Sequence, residues 1–178
     1  MNASTLQPPT FIPMFELKEL SKEAIPAALE KAMRYRLLNE PGEAESVCHD
    51  VLCIDPENQQ ALVTLLLALT DRFGKGYSVS VTQAQEVIPR LRDAYERAYY
   101  GGIIRERQAK VRLHQGQPGA GFEAYEFLRE AMVYYEKAEA IRPAGNDDAL
   151  LRWNACARMI MRNNLAPRPE ERMELPLE

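Results

Sequence analysis

The sequence is short of the residues and runs from which several classes of protein are built. Three of its 178 residues are cysteine, two are histidine and one is tryptophan. An odd cysteine count allows no fully paired disulfide framework and suits a reducing compartment, so a cytoplasmic location is expected. The longest apolar stretch, residues 61–69, is interrupted by Thr64 and falls far short of the roughly 20 residues of a helical membrane span. No membrane association is expected. No basic segment with an apolar run and a small-residue cleavage site behind it is present, so a secretory leader is not expected. Glycine and proline number 9 and 12, too few for a collagen-like or low-complexity chain. What is there is a 46% hydrophobic, 27% charged composition, that of an ordinary folded domain of about this length.

Motifs that carry chemistry are equally scarce. Cys48, His49 and Cys53 lie close in sequence, but only His49 and Cys53 share a helix face, and no C-x-x-C or H-x-x-x-H partner follows to complete about four zinc ligands. Cys48 reads as a core residue. Gly74-Lys75-Gly76 lacks the preceding strand and the Gly-Lys-Ser/Thr ending of a phosphate loop. Gly116, Gly119 and Gly121 follow a helix and form no dinucleotide fingerprint. His114, beside Gly116, reads as a helix-end cation with no nucleophile in view. The expectation is no catalytic residues, no metal, no cofactor and no enzyme.

Charge is uneven along the chain although the net value is −4. Residues 16–60 carry ten acids and five bases. Residues 90–112 carry Arg90, Arg92, Arg97, Arg105, Arg107, Lys110 and Arg112 against Asp93, Glu96 and Glu106. Of the 22 bases, 16 are arginine, the residue suited to bidentate carboxylate or phosphate contacts. Pairing within the fold is the first reading of this pattern. The second is an anion patch formed by Arg90 with Arg97 and Arg105 with Arg112, each pair seven residues apart and so sharing a face. The acidic balance makes nucleic acid an unfavoured ligand for it.

Apolar periodicity predicts seven helices and no strand. The first begins near Leu17 or Ser21 with Pro26 in its first turn, and ends before Asn39-Glu40-Pro41-Gly42. Others are expected over 43–54, 61–73, 82–100, 103–115, 122–141 and, capped by Asn146, Asp147 and Asp148, on to about 163. Thr82 with Gln85 resembles a capping box, Pro89 should kink or split its helix, and Gly101-Gly102 should break the chain between the fourth and fifth helices. Gly74-Lys75-Gly76 ends the third helix, and residues 77–81 read as a strand-like connection. Residues 1–15, with Pro8, Pro9 and Pro13, read as an extended arm; 16–164 form the helical domain; 165–178 form a tail containing proline and glutamate.

A shift of 87 residues superposes Glu43 on Glu130, Ala44 on Ala131, Cys48 on Tyr135, Val51 on Ala138, Ile54 on Ile141 and Pro56 on Pro143. A small residue, a larger one four later, a small or branched one three later and then proline describe a helix that closely approaches its neighbour and then stops. With Ala32 and Tyr35 in the preceding helix, this spacing resembles the tetratricopeptide repeat, a 34-residue helix-turn-helix unit. About three irregular units over residues 25–160 match, the second interrupted by an insertion at 74–81.

The resemblance implies an all-α, right-handed superhelix of antiparallel helix hairpins with a C-terminal capping helix anchored by Trp153. It further implies a non-enzymatic scaffold or adaptor binding a protein or peptide segment in a concave groove. Carried over residue by residue, the groove holds Leu29, Met33, Arg36 and Leu37 from the first helix. From the third it holds Gln60, Val63, Leu67, Thr70 and Asp71, and from the fifth Ile103, Glu106 and Lys110. The groove lacks the asparagine with which family members clamp a terminal carboxylate, so that mode is not expected. A homo-oligomer formed through the tails or the groove is a further reading.

Overall fold

The computed structural model describes residues 15–74 and 81–169. Seven α-helices form among them: α1 (Ile25–Leu37), α2 (Pro41–Ile54), α3 (Gln59–Asp71), α4 (Val81–Val87), α5 (Ala94–Gln115), α6 (Ala120–Ala140) and α7 (Asp148–Arg162). No strand occurs among the described residues. The expected arm before Phe15, residues 75–80 with most of the expected connection, and the tail beyond residue 169 lie outside the described residues. No helix among the described residues is long and apolar enough to cross a membrane.

The helices start and stop where backbone chemistry dictates. Pro26 and Pro41 sit in the first turns of α1 and α2, where a missing N–H costs nothing. Asn58 caps α3 by accepting from the Ala61 N–H at 2.9 Å, and Asp93 caps α5 by accepting from the Tyr95 N–H at 2.7 Å. Gly116 ends α5 in the left-handed region, φ +60°, a conformation that glycine adopts without a Cβ penalty.

One expected boundary is displaced. Gly101-Gly102 does not break the chain; both residues lie inside α5, which runs unbroken for 22 residues. The break falls earlier, at Leu91, Arg92 and Asp93, after the short 3-10 turn Ile88–Arg90 that contains Pro89. The reason is a close helix contact. A Cβ on Gly101 would stand 2.8 Å from the Tyr134 ring, and one on Gly102 would stand 2.5 Å from the Tyr135 ring. The glycines make room for two aromatic side chains of α6.

The same pairs give the direction of packing. Arg105 meets Glu130 and Arg112 meets Glu123, so α6 runs antiparallel to α5. Trp153 donates to Glu136 at 2.9 Å, while Leu165 lies beside Gly121, so α7 and the residues after it run antiparallel to α6. The seam of α6 repeats every seven residues, with Ala124, Ala131 and Ala138 all fully buried and Leu128 and Tyr135 filling the space between them. In the first half, α2 packs against both α1 and α3, and Arg72 reaches back from the end of α3 to Glu45 near the start of α2.

Two cores result. The first gathers Leu29, Ala32, Cys48, Val51, Leu62 and Leu66 from α1 to α3, with Leu91 and Ile104. The second gathers Ile103, Leu128, Tyr135 and Cys156 among others from α5 to α7. Leu67 and Tyr100 pack against both. Cys48 is fully buried in the first core, and burial pushes its thiol up to about 12.

Candidate functional site

Helices α1, α3 and α5 contribute to one polar chain. Arg36 of α1 donates through Nε to Asp71 Oδ2 of α3 at 2.9 Å. Arg107 of α5 donates through Nη1 to the other oxygen, Oδ1, at 2.5 Å. One carboxylate is therefore shared by two guanidinium groups from different helices.

A second shared carboxylate, that of Glu106, lies next to Arg107 in sequence. Glu106 is 1% exposed and accepts from Tyr135 Oη at 2.7 Å, from Arg152 Nη1 at 3.3 Å and from Lys110 Nζ. Burial pushes its pKa up, but the hydrogen bonds from Lys110 and Tyr135 and the charges of Lys110 and Arg152 outweigh burial and hold it below the usual carboxylate value. Burial and the neighbouring Glu106 push the Tyr135 phenol well above its ordinary range. Helix α7 is tied to this cluster through Arg152, and buried Cys156 has its thiol pushed up to about 12 by burial and by Glu106.

A cavity of about 430 Å³ opens between the end of α3 and the C-terminal half of α5. Thr70, Asp71 and Phe73 form one wall, and Arg107, Lys110 and His114 the other. Asp71 therefore stands in the lining itself, while buried Glu106 is tied to the cavity through Lys110.

Of the residues expected in the groove, Arg36 and Asp71 meet directly, and Lys110 lines the cavity beside Asp71. Met33 and Leu37 are 48% and 88% exposed on α1, and Gln60 Nε2 lies 3.7 Å from Met33 Sδ. Val63 and Leu67 are half-buried and pack on the cores. Three expectations are corrected. Leu29 and Ile103 are core residues at 3% and 2% exposure, and Glu106 faces Tyr135 in the interior. Arg107, Tyr135 and Arg152 belong to the site and were not singled out for it. Arg107 stands three residues before Lys110, on the same face of α5, which is the local signal for it. Tyr135 and Arg152 come from other helices and carry no local signal.

The four arginines of the anion patch each have partners. Arg90 donates to the Pro56 carbonyl at 2.8 Å, and Arg97 to the Leu91 and Arg92 carbonyls at 2.7 and 2.8 Å. Arg105 pairs with Glu130 at 2.8 Å and Arg112 with Glu123 at 2.9 Å. Arg97 and Arg105 line a different cavity, about 380 Å³, together with Ile88, Pro89, Gly101 and Tyr134. His49 lies 3.8 Å from Glu45, while Cys48 is buried and Cys53 exposed. Among the described residues no three His, Cys, Asp or Glu side chains cluster as a metal site requires.

No protein-family model matches the chain, and neither does any curated protein or solved structure.

Proposed function

We propose that the chain is a non-enzymatic, tetratricopeptide-like scaffold that holds a protein or peptide segment along the face shared by α1, α3 and α5. In this reading the helices form a right-handed superhelix of hairpins closed by α7. The observation that carries it is the Arg36–Asp71–Arg107 chain. Three alternate helices, separated in sequence by α2 and by α4, bring polar side chains to one line. Exposed Met33 and Leu37 continue that line on α1, giving the mixture of apolar and charged groups that peptide-binding grooves use.

The anion-binding alternative has weaker support, because Arg105 and Arg112 are neutralised by glutamates of α6 and Arg90 and Arg97 are held by carbonyls. Capture from a cell lysate by the wild type and by a Met33→Glu, Leu37→Glu variant tests the scaffold reading. Both positions are exposed, so stability should change by no more than about 0.5 kcal/mol each. The wild type is expected to retain a discrete set of proteins that the variant loses. An empty set, or one unchanged in the variant, overturns the reading.

A further inference from the structure

We infer that the cavity between α3 and α5 is the docking site for an extended acidic segment of a partner protein, with carboxylates at alternate positions and an apolar residue between them. The inference rests on the scaffold reading and deepens it by giving the partner's chemistry. Its basis is a charge imbalance. Asp71 is shared by Arg36 and Arg107, and Glu106 by Lys110 and Arg152. In the cavity lining Arg107 and Lys110 stand against one carboxylate, Asp71, which Arg36 also engages, so the lining carries one positive charge in surplus within a chain whose net charge is −4.

The cavity places that surplus where a ligand can use it. Arg107 and Lys110 have side chains 28% and 42% exposed, and both line the cavity with His114. A guanidinium carries five N–H donors and an ammonium three, more than one carboxylate oxygen apiece engages. Along α5 the step from residue 107 to 110 is about 4.5 Å and from 110 to 114 about 6 Å. In an extended chain, side chains on the same side recur at about 6.6 Å. Two carboxylates at alternate positions therefore engage Arg107 and Lys110, whose long side chains take up the difference of about 2 Å. The residue between them points the other way, towards Phe73 on the α3 wall.

A peptide fits better than a nucleic acid. Arg107 is partly neutralised by Asp71 in the lining and Lys110 by Glu106 in the interior, and Phe73 and Val111 make part of the lining apolar. A polyphosphate would also meet the acidic balance of the whole chain.

Fluorescence anisotropy on the full chain tests this with a labelled heptapeptide of alternating glutamate and leucine. Its glutamine counterpart and a ten-nucleotide oligothymidylate serve as comparisons. The wild type is expected to bind the glutamate peptide at least tenfold more tightly than either, with affinity falling as salt rises. Arg107→Gln and Lys110→Gln should each weaken binding roughly three- to fivefold, as exposed charge contacts do, and the double variant about tenfold or more. Asp71 keeps Arg36 and Glu106 keeps Arg152 and Tyr135 in these variants, so circular dichroism should be unchanged.

No binding, equal binding of the glutamine peptide or the oligonucleotide, or affinity unaffected by both substitutions overturns the inference. A further variant carries Glu170→Gln, Glu171→Gln, Glu174→Gln and Glu178→Gln. Binding seen only in that variant would assign the cavity to the chain's own acidic segment and likewise overturn the partner assignment. If these fail while Met33→Glu, Leu37→Glu still abolishes capture, the scaffold reading stands and the partner is not acidic.

Discussion

A carboxylate as deeply buried as Glu106 is unfavourable unless hydrogen bonds and opposite charge meet it. Tyr135, Lys110 and Arg152 do so from three helices, and together they hold Glu106 below the ordinary carboxylate value despite its burial. Such a group takes up its proton at lower pH in the folded chain than in the unfolded one. Its contribution to stability is therefore complete above the unfolded value of about 4.5 and is lost as pH falls through the lower folded value. Glu106→Gln should lower stability at pH 7 by about 1.5–3 kcal/mol, the range for hydrogen bonds to a charged group. Lys110 and Arg152 remain partly exposed, so water limits the loss. Thermal melts of both proteins from pH 7 to 3 check this: the gap should narrow below about pH 4.5, and a constant gap contradicts it. Repeat spacing predicts that Arg36 and Asp71 face a common ligand; that they meet each other was not legible in it. Nor was the interior role of Glu106. An acid four residues before Lys110 looks locally like a solvated helix pair, and the residues that bury it lie 29 and 46 positions away.

At the scale of the element, α5 and α6 show how packing overrides propensity. Glycine costs a helix about 1 kcal/mol relative to alanine, and two in succession read as a break. In α5 they persist because the Tyr134 and Tyr135 rings occupy the space of their absent Cβ atoms. The stronger signals lie upstream, where Pro89 stops one helix and Asp93, three residues before Glu96, caps the next. The long α6 and the end of α5 at Gly116 needed no such correction, since uninterrupted periodicity and a glycine stop agree there. The two glycines should respond differently to alanine. At Gly102 the new Cβ meets the fully buried Tyr135 ring, which is also bound to Glu106. Overpacking of about 1–3 kcal/mol offsets or exceeds the propensity gain, for a net loss of up to about 2 kcal/mol. At Gly101 the neighbour is the half-buried Tyr134, whose ring can swing outward, and the change should fall between neutral and a gain of about 1 kcal/mol. Urea denaturation of the two variants checks the order, and a more damaging Gly101→Ala contradicts it.

Across the whole molecule, α5 is the element that both cores share. Ile104 belongs to the first core and its neighbour Ile103 to the second, while Tyr100 and Leu67 touch both. Asp71 and Arg107 add an ion pair across the same junction. Neither core can open fully without exposing a face of α5, so a single cooperative transition is expected. The chain carries its own reporter. Trp153 is its one tryptophan and packs on the second core alone, whereas far-ultraviolet circular dichroism reads every helix. In the wild type the two signals should superpose through a urea titration. Ile104→Ala removes a buried side chain from the first core, worth about 2–5 kcal/mol, at the point where α5 is joined to it. The first half should then melt ahead of the second, moving the dichroism midpoint to lower urea than the Trp153 midpoint. Signals already separated in the wild type would show that α5 does not couple the cores, and midpoints lowered equally in the variant would show that Ile104 supports both.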